Sequence, residues 1–188
     1  MLFRSNDTAT TEIYTTRHTL SLHDALPISV PFDLAACARM MDQGLPKILY
    51  TATFMRSLRE KARAKALAYP GFVDLQAALR ARTFAAYDRA VTAPLHGFTD
   101  EVDYWQRASS GPYLARIRRP TLLINALDDP FIPTSSLPDP RELPPAVRAE
   151  FVPIGGHVGF VEGLPWRASS WAERRAVEFL GSALDGLC

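Results

Sequence analysis

Asp129 and His157 are the residues of this chain best placed to do chemistry together. Each follows a short apolar run. Pro120-Thr121-Leu122-Leu123-Ile124-Asn125-Ala126 precedes the aspartate, and Ala149-Glu150-Phe151-Val152-Pro153-Ile154 precedes Gly155-Gly156-His157. Runs of this length, bounded by turn residues, read as strands. If the two lie side by side and parallel, both side chains emerge at one carboxyl edge, where ligands of open α/β sheets bind. Neighbouring strands sit ~4.8 Å apart, so an Asp–His hydrogen bond is within reach. The carboxylate would hold the imidazole in one tautomer and stabilise the imidazolium. The imidazole would take a proton from a nucleophile and return it to a leaving group. Gly155 and Gly156 would allow a tight turn and a close approach of backbone to the site. Each motif also has a structural reading: Asp128-Asp129-Pro130 is a reasonable turn, and Gly-Gly-His a reasonable bend. Their order after two strands favours chemistry. Asp128 is the competing acid.

The elements that must hold this pair follow from pattern and punctuation. Val30-Pro31-Phe32 reads as the end of a strand, and Asp33 as the N-cap of a helix over 34–43 stopped by Gly44. A longer helical pattern covers 46–68 and closes at Pro70-Gly71. Asp74 and Thr83 read as caps for helices near 75–81 and 84–91, and a short helix is expected over 101–109. Residues 33–118 are therefore mostly helical. Then come the two strands, joined by a proline-rich connection over 133–145. A helix with apolar spacing through Trp171, Ala172, Ala176, Phe179 and Leu180 covers 168–184. Strand, crossover, strand, helix implies an α/β piece with a parallel sheet. There are no internal repeats.

Residues 2–29 have a different character. They are rich in threonine and show no period of 2 or 3.6. They resemble a sequencing adapter read in frame: GCTCTTCCGATCT translates as Ala-Leu-Pro-Ile-Ser, as at 25–29. This segment is expected to be an assembly artefact, disordered, with the authentic sequence interrupted at Val30. A genuine disordered tail is the alternative. On either reading His18 and His23 are not metal ligands. The net charge of +1 supplies no global field for nucleic acid. Cys37 and Cys188 are too few for a disulfide framework and fit a cytoplasmic location. No run approaches the ~20 apolar residues of a membrane span, and no secretory signal opens the chain. No metal or organic cofactor is expected.

The strings around the pair are more specific than an Asp…His order alone. Arg119-Pro120-Thr121-Leu122-Leu123-Ile124-Asn125-Ala126-Leu127-Asp128-Asp129-Pro130-Phe131-Ile132-Pro133, with Gly155-Gly156-His157-Val158-Gly159-Phe160, resembles the YheT-like α/β-hydrolases and the related mammalian ABHD1/ABHD3 group. Val30-Pro31-Phe32-Asp33-Leu34 and Thr92-Ala93-Pro94-Leu95-His96-Gly97-Phe98 carry the same resemblance, which covers 30–188. It implies a partial α/β-hydrolase fold: a helical lid with the end of a core strand over 30–118, and the carboxyl-terminal part of the core over 119–188. It implies esterase chemistry on a small acyl ester by a Ser-His-Asp triad, with Asp129 as acid and His157 as base. Asp129 is preferred to Asp128 because it directly precedes Pro130, as in hydrolase strand–loop patterns.

The chain departs from that family at the nucleophile. No Gly-x-Ser-x-Gly elbow occurs anywhere. Ser109-Ser110-Gly111 lacks the elbow's first glycine, Ser135 and Ser136 follow the acid, and Cys37 lies inside an expected helix. The oxyanion-hole segment, normally earlier in the chain, is missing as well. The fragment is therefore expected to be inactive. The rivals are a non-catalytic truncated chain or binding module, and another hydrolase chemistry on the same fold. Weaker signals have plainer readings. His96 follows helices and reads as structural. Tyr104, Trp105 and Tyr113 could line an acyl pocket but more often pack. Arg56, Arg59, Lys61, Arg63 and Lys65 read as a solvated helix face, with docking to anionic lipid at a membrane surface or to an acidic substrate as the alternative.

Overall fold

The computed structural model describes residues 26–71, 73–164 and 167–185. Most of the adapter-like segment, with His18 and His23, and also Cys188, lies outside the described residues. The chain divides into two compact units. One is the continuous stretch Asp33–Ser109, and the other is formed by what flanks it on both sides.

The unit Asp33–Ser109 is helical. It contains α1 (Leu34–Met41), α2 (Ala52–Ala68), α3 (Leu75–Arg80), α4 (Phe84–Tyr87) and α5 (Glu101–Ala108). Most of its helices start where a short polar side chain can take up an orphan N–H. Asp33 accepts from Ala36 N, Asp74 from Ala77 N, Thr83 from Ala86 N and Asp100 from Asp103 N, at 2.8–3.1 Å. The expected first helix is shorter than its pattern. It ends at Met41, and Gly44, at φ 55°, enters a separate helical turn instead of stopping the first. The segments Lys47–Thr51 and Asp88–Thr92 are wider, π-type turns within otherwise regular helix. The core gathers Met55, Ala62, Ala78, Ala81, Tyr87, Ala90 and Val91. Alanine prevails because short helices that approach closely leave room for little else.

The second unit is built on two parallel strands, β1 (Thr121–Ala126) and β2 (Val147–Val152), in register from Thr121↔Val147 to Ala126↔Val152. All six residues of β1 are buried, as expected of a strand covered on both faces. Leu122, Ile124 and Ala126 pack with Phe160 and Ala172 on one side, and Leu123 packs with Phe32, Leu114 and Val147 on the other. A hairpin of β3 (Val161–Leu164) and β4 (Arg167–Ser170) leads into α6 (Trp171–Asp185). Arg175 on α6 holds Glu150 on β2 through both guanidinium–carboxylate contacts, at 2.6 and 2.9 Å. That pairing keeps the Glu150 carboxyl below its ordinary pKa.

Four expectations need correction here. The second strand begins and ends two residues earlier than its apolar run, because Pro153 and Ile154 are exposed and lie beyond the pairing. The last helix starts at Trp171, and 168–170 belong to the unanticipated hairpin. Residues 27–29, placed by sequence in the unstructured leader, are ordered. Ile28 bridges Ile124 in parallel, Ser29 N donates to Ile124 O at 2.8 Å, and Ile124 N donates to Pro27 O at 3.1 Å. The helical unit closes at Ser109, earlier than 118. Gly111 N donates to Phe32 O, and Leu114 joins the strand core.

Candidate active site

β1 ends at Ala126, and its chain turns at Leu127-Asp128 before delivering Asp129. Leu127 N donates to Val152 O, so the two strand ends stay level. The Asp129 side chain is fully buried. Its Oδ1 accepts from Phe131 N at 2.8 Å, a local turn of the kind aspartate favours before a loop. Its Oδ2 stands 2.9 Å from His157 Nδ1. The imidazole is 29% exposed and sits edge-on to Phe131, with ring centroids 4.6 Å apart. The aspartate therefore engages Nδ1 and leaves Nε2 as the ring nitrogen for other chemistry.

The loop that carries His157 is tightly constrained. Gly156, Val158 and Phe160 all adopt left-handed backbone, at φ 59°, 58° and 44°. For valine and phenylalanine this conformation is sterically costly. Gly155 has no room for a side chain. A Cβ there would stand 2.7 Å from the Phe160 ring and 2.9 Å from the Ala126 Cβ. Phe160 N closes the loop on Gly155 O, and Trp171 N donates to Phe160 O.

The structure brings Asp129 and His157 together and gives Asp128 a different contact. Asp128 Oδ1 accepts from both Gly155 N and Gly156 N, at 2.9 and 2.8 Å. Those N–H groups, Gly156 first, hold the Asp128 carboxyl below the usual carboxylate range. Ser29 is a contact that sequence reasoning missed: its Oγ accepts from Val158 N at 3.1 Å. The signal available was only its place beside Val30-Pro31-Phe32.

The other candidate nucleophiles are engaged elsewhere. Ser109 Oγ donates to Trp105 O and accepts from Leu34 N. Ser110 Oγ donates to Pro31 O, and Ser136 Oγ to Pro133 O. Ser135 lies in the same single 3-10 turn as Ser136, and Cys37 is inside α1. His96 caps the helical turn Ala93–Leu95 in the helical unit. In that unit Trp105 is buried and donates from Nε1 to Asp88, while Tyr104 packs on Phe98. Tyr113 carries Arg116 over its ring. On α2, Arg59 donates to Ala81 O and Lys65 lies over Tyr69, whereas Arg56, Lys61 and Arg63 are exposed. Among the described residues, no three His, Cys, Asp or Glu side chains converge as a metal-binding group.

Comparison with known proteins follows the same lines. The family model described as alpha/beta hydrolase fold matches residues 20–164. "Putative esterase YheT" of Escherichia coli (strain K12) is 36% identical over 168 residues, covering 88% of this chain and 49% of that protein. "Phospholipase ABHD3" of Homo sapiens is 25% identical over 162 residues, covering 86% and 40%. "Monoacylglycerol lipase ABHD2" of Homo sapiens is 34% identical over 113 residues, covering 56% and 26%. The chain thus spans about half the length of the first of these relatives and less of the others. No solved structure matches it. A family match over most of the described residues, on a parallel sheet of this construction, means that the chain belongs to the α/β-hydrolase fold family.

Proposed function

We propose that this chain contributes the acid and the base of a Ser-His-Asp triad that hydrolyses carboxylic esters, with the serine supplied from outside the sequence given. The observation that carries this reading is the 2.9 Å contact between His157 Nδ1 and a fully buried Asp129 carboxylate at the carboxyl ends of adjacent parallel strands. Asp129 fixes the ring so that Nε2 faces outward as the base. Nε2 takes the proton of the serine hydroxyl as that oxygen attacks the ester carbonyl, and the imidazolium forms beside Asp129. The same proton then passes to the departing alcohol, leaving an acyl-serine. A water molecule, deprotonated by His157 in its turn, attacks the acyl carbon and releases the acid. The substrate class is a small or lipid-like acyl ester. Relatives named esterase, phospholipase and monoacylglycerol lipase support that breadth.

No Gly-x-Ser-x-Gly occurs in the 188 residues, so the polypeptide alone is expected to hydrolyse no ester above a His157→Ala control. Clear, His157-dependent turnover by the polypeptide alone would refute the need for an external nucleophile. Sequencing the encoding locus upstream of the residues that pair with β1 tests the triad itself. The expected finding is a strand–Gly-x-Ser-x-Gly–helix segment. A protein extended by that segment should turn over p-nitrophenyl esters and lose about a thousandfold or more on His157→Ala. A locus without such a segment sinks the esterase reading.

A further inference from the structure

The two adjacent acids after β1 serve the histidine in different ways. Asp129 meets the imidazole, whereas Asp128 meets the main chain just before it. One carboxylate oxygen takes both consecutive N–H groups, Gly155 at 2.9 Å and Gly156 at 2.8 Å. These are the N–H groups of the two residues just before His157. Gly156 is left-handed at φ 59°, a backbone state that glycine can leave at little cost, so glycine alone does not fix the turn. Just beyond the histidine, Val158 N is held by Ser29 Oγ. The His157 main chain is therefore anchored on both sides by side chains 27 to 129 residues away in sequence.

We propose that Asp128 is a positioning residue of the site, its carboxylate fixing the Gly155-Gly156 turn so that the His157 ring reaches Asp129. The inference rests on the proposed triad but concerns a different contact. Charge assistance strengthens both hydrogen bonds, because the acceptor is ionised. Asp128 is exposed and packs in no core cluster, so replacing it removes the acceptor without opening a cavity. Asparagine at this position keeps one oxygen acceptor, loses the charge and carries an NH2 in place of the second oxygen.

The test uses the full chain and needs no turnover. Two readouts are followed by NMR: the His157 ring tautomer from its nitrogen signals, and amide exchange at Gly155 and Gly156. Asp128→Ala should speed exchange at both glycines about tenfold or more, in line with exposing N–H groups that were hydrogen-bonded. It should also leave the ring in mixed tautomers, while Leu122 to Ile124 exchange as before. Asp128→Asn should restore both readouts. Asp129→Ala should do the reverse, losing the fixed tautomer while the glycines stay protected. Unchanged tautomer and exchange in Asp128→Ala overturn the clamp and leave the triad standing. Faster exchange throughout β1 and β2 in both Asp128 variants also overturns it, in favour of a general structural role. A tautomer indifferent to Asp129→Ala counts against the triad reading, whatever Asp128 does.

Discussion

The helical unit and the histidine loop differ in how far they rely on their own neighbours to satisfy backbone groups. In the helical unit four caps are local, although Leu34 N, Phe84 N and Ala85 N also donate to the distant side chains of Ser109 and Asp42. Asp33, Asp74, Thr83 and Asp100 each accept from an N–H three residues on, and the chain between stays in ordinary helical conformation. In the histidine loop three of five consecutive residues, Gly156 to Phe160, are left-handed, and the N–H groups of Gly155, Gly156 and Val158 are taken by Asp128 and Ser29, far off in sequence. A helix can hold its shape largely from its own neighbours. The loop is held by the sheet, the segment around Ser29 and the turn after β1 together. Strained backbone of this kind persists where surrounding structure over-determines it, and it gathers at functional sites. The helical unit carries none of the proposed chemistry, and the loop carries the base.

Glycine substitutions give the largest break in this contrast. Gly155→Ala should place a Cβ against both Phe160 and Ala126, with no flexible group to give way. Overpacking of this sort costs about 1–3 kcal/mol, and the loop should shift enough to separate His157 from Asp129. In the helical unit, Gly71 meets nothing within 4 Å but has φ 85°. Gly71→Ala should therefore cost only the backbone term, about 1–2 kcal/mol. Urea midpoints for both variants, with the His157 tautomer as a second readout, check the pair. Equal midpoint shifts with an unmoved tautomer would remove the distinction.

A smaller effect separates the units by pH. Burial pushes the Asp88 carboxyl up to about 6, with further upward pressure from Asp42 and Glu101, against hydrogen bonds from Thr92 and Trp105 that lower it. An acid whose pKa is raised on folding binds more protons folded than unfolded between the two values. Stability from this group is therefore greatest in acid and falls as pH rises from about 3.8 to about 6. The swing is on the order of 2 kcal/mol or less, since Asp88 is only partly buried by area. Asp88→Asn should flatten the pH dependence of helical unfolding, followed by circular dichroism in urea, across that window. An unchanged slope would show that Asp88 is not its source.

Removing a local cap sits lower still. Asp100→Ala takes the acceptor from Asp103 N at the start of α5. The expected loss is about 1 kcal/mol, confined to the helical unit, with amide exchange at Gly155 and Gly156 untouched. Faster exchange at those glycines would contradict the independence of the two regions.

The same contrast explains what the sequence disclosed. Asp33, Asp74 and Thr83 were legible as caps because cap and helix start are neighbours in the chain. β1 was legible because its whole length is buried and apolar. Asp129 and His157 were legible because each follows its own strand. The hairpin of β3 and β4 was not: Val161 and Leu164 are 73% and 56% exposed, so no buried face imposes a period of two. The end of β2 was misplaced because Ile154 continues the apolar run while pointing to solvent at 82% exposure. The contacts of Asp128 and Ser29 leave no sequence signature at all, since a side chain that caps a distant backbone N–H needs no matching residue type there. Asp128 could be read only as a rival acid.

The finest test asks one substitution to have opposite signs in the two regions. Val158 is β-branched and left-handed at φ 58°, which costs roughly 1–2 kcal/mol. Glycine relieves that strain but adds freedom to the unfolded chain, worth about 0.5–1 kcal/mol. Val158→Gly should thus be neutral or stabilising by about 0.5 kcal/mol, the difference of those two terms. Ala64 is exposed on α2 with nothing strained about it. Ala64→Gly should destabilise by about 1 kcal/mol. Denaturant midpoints measured side by side decide the matter. If Val158→Gly destabilises as much as Ala64→Gly, the left-handed turn at Val158 is not a strained conformation imposed by its anchors.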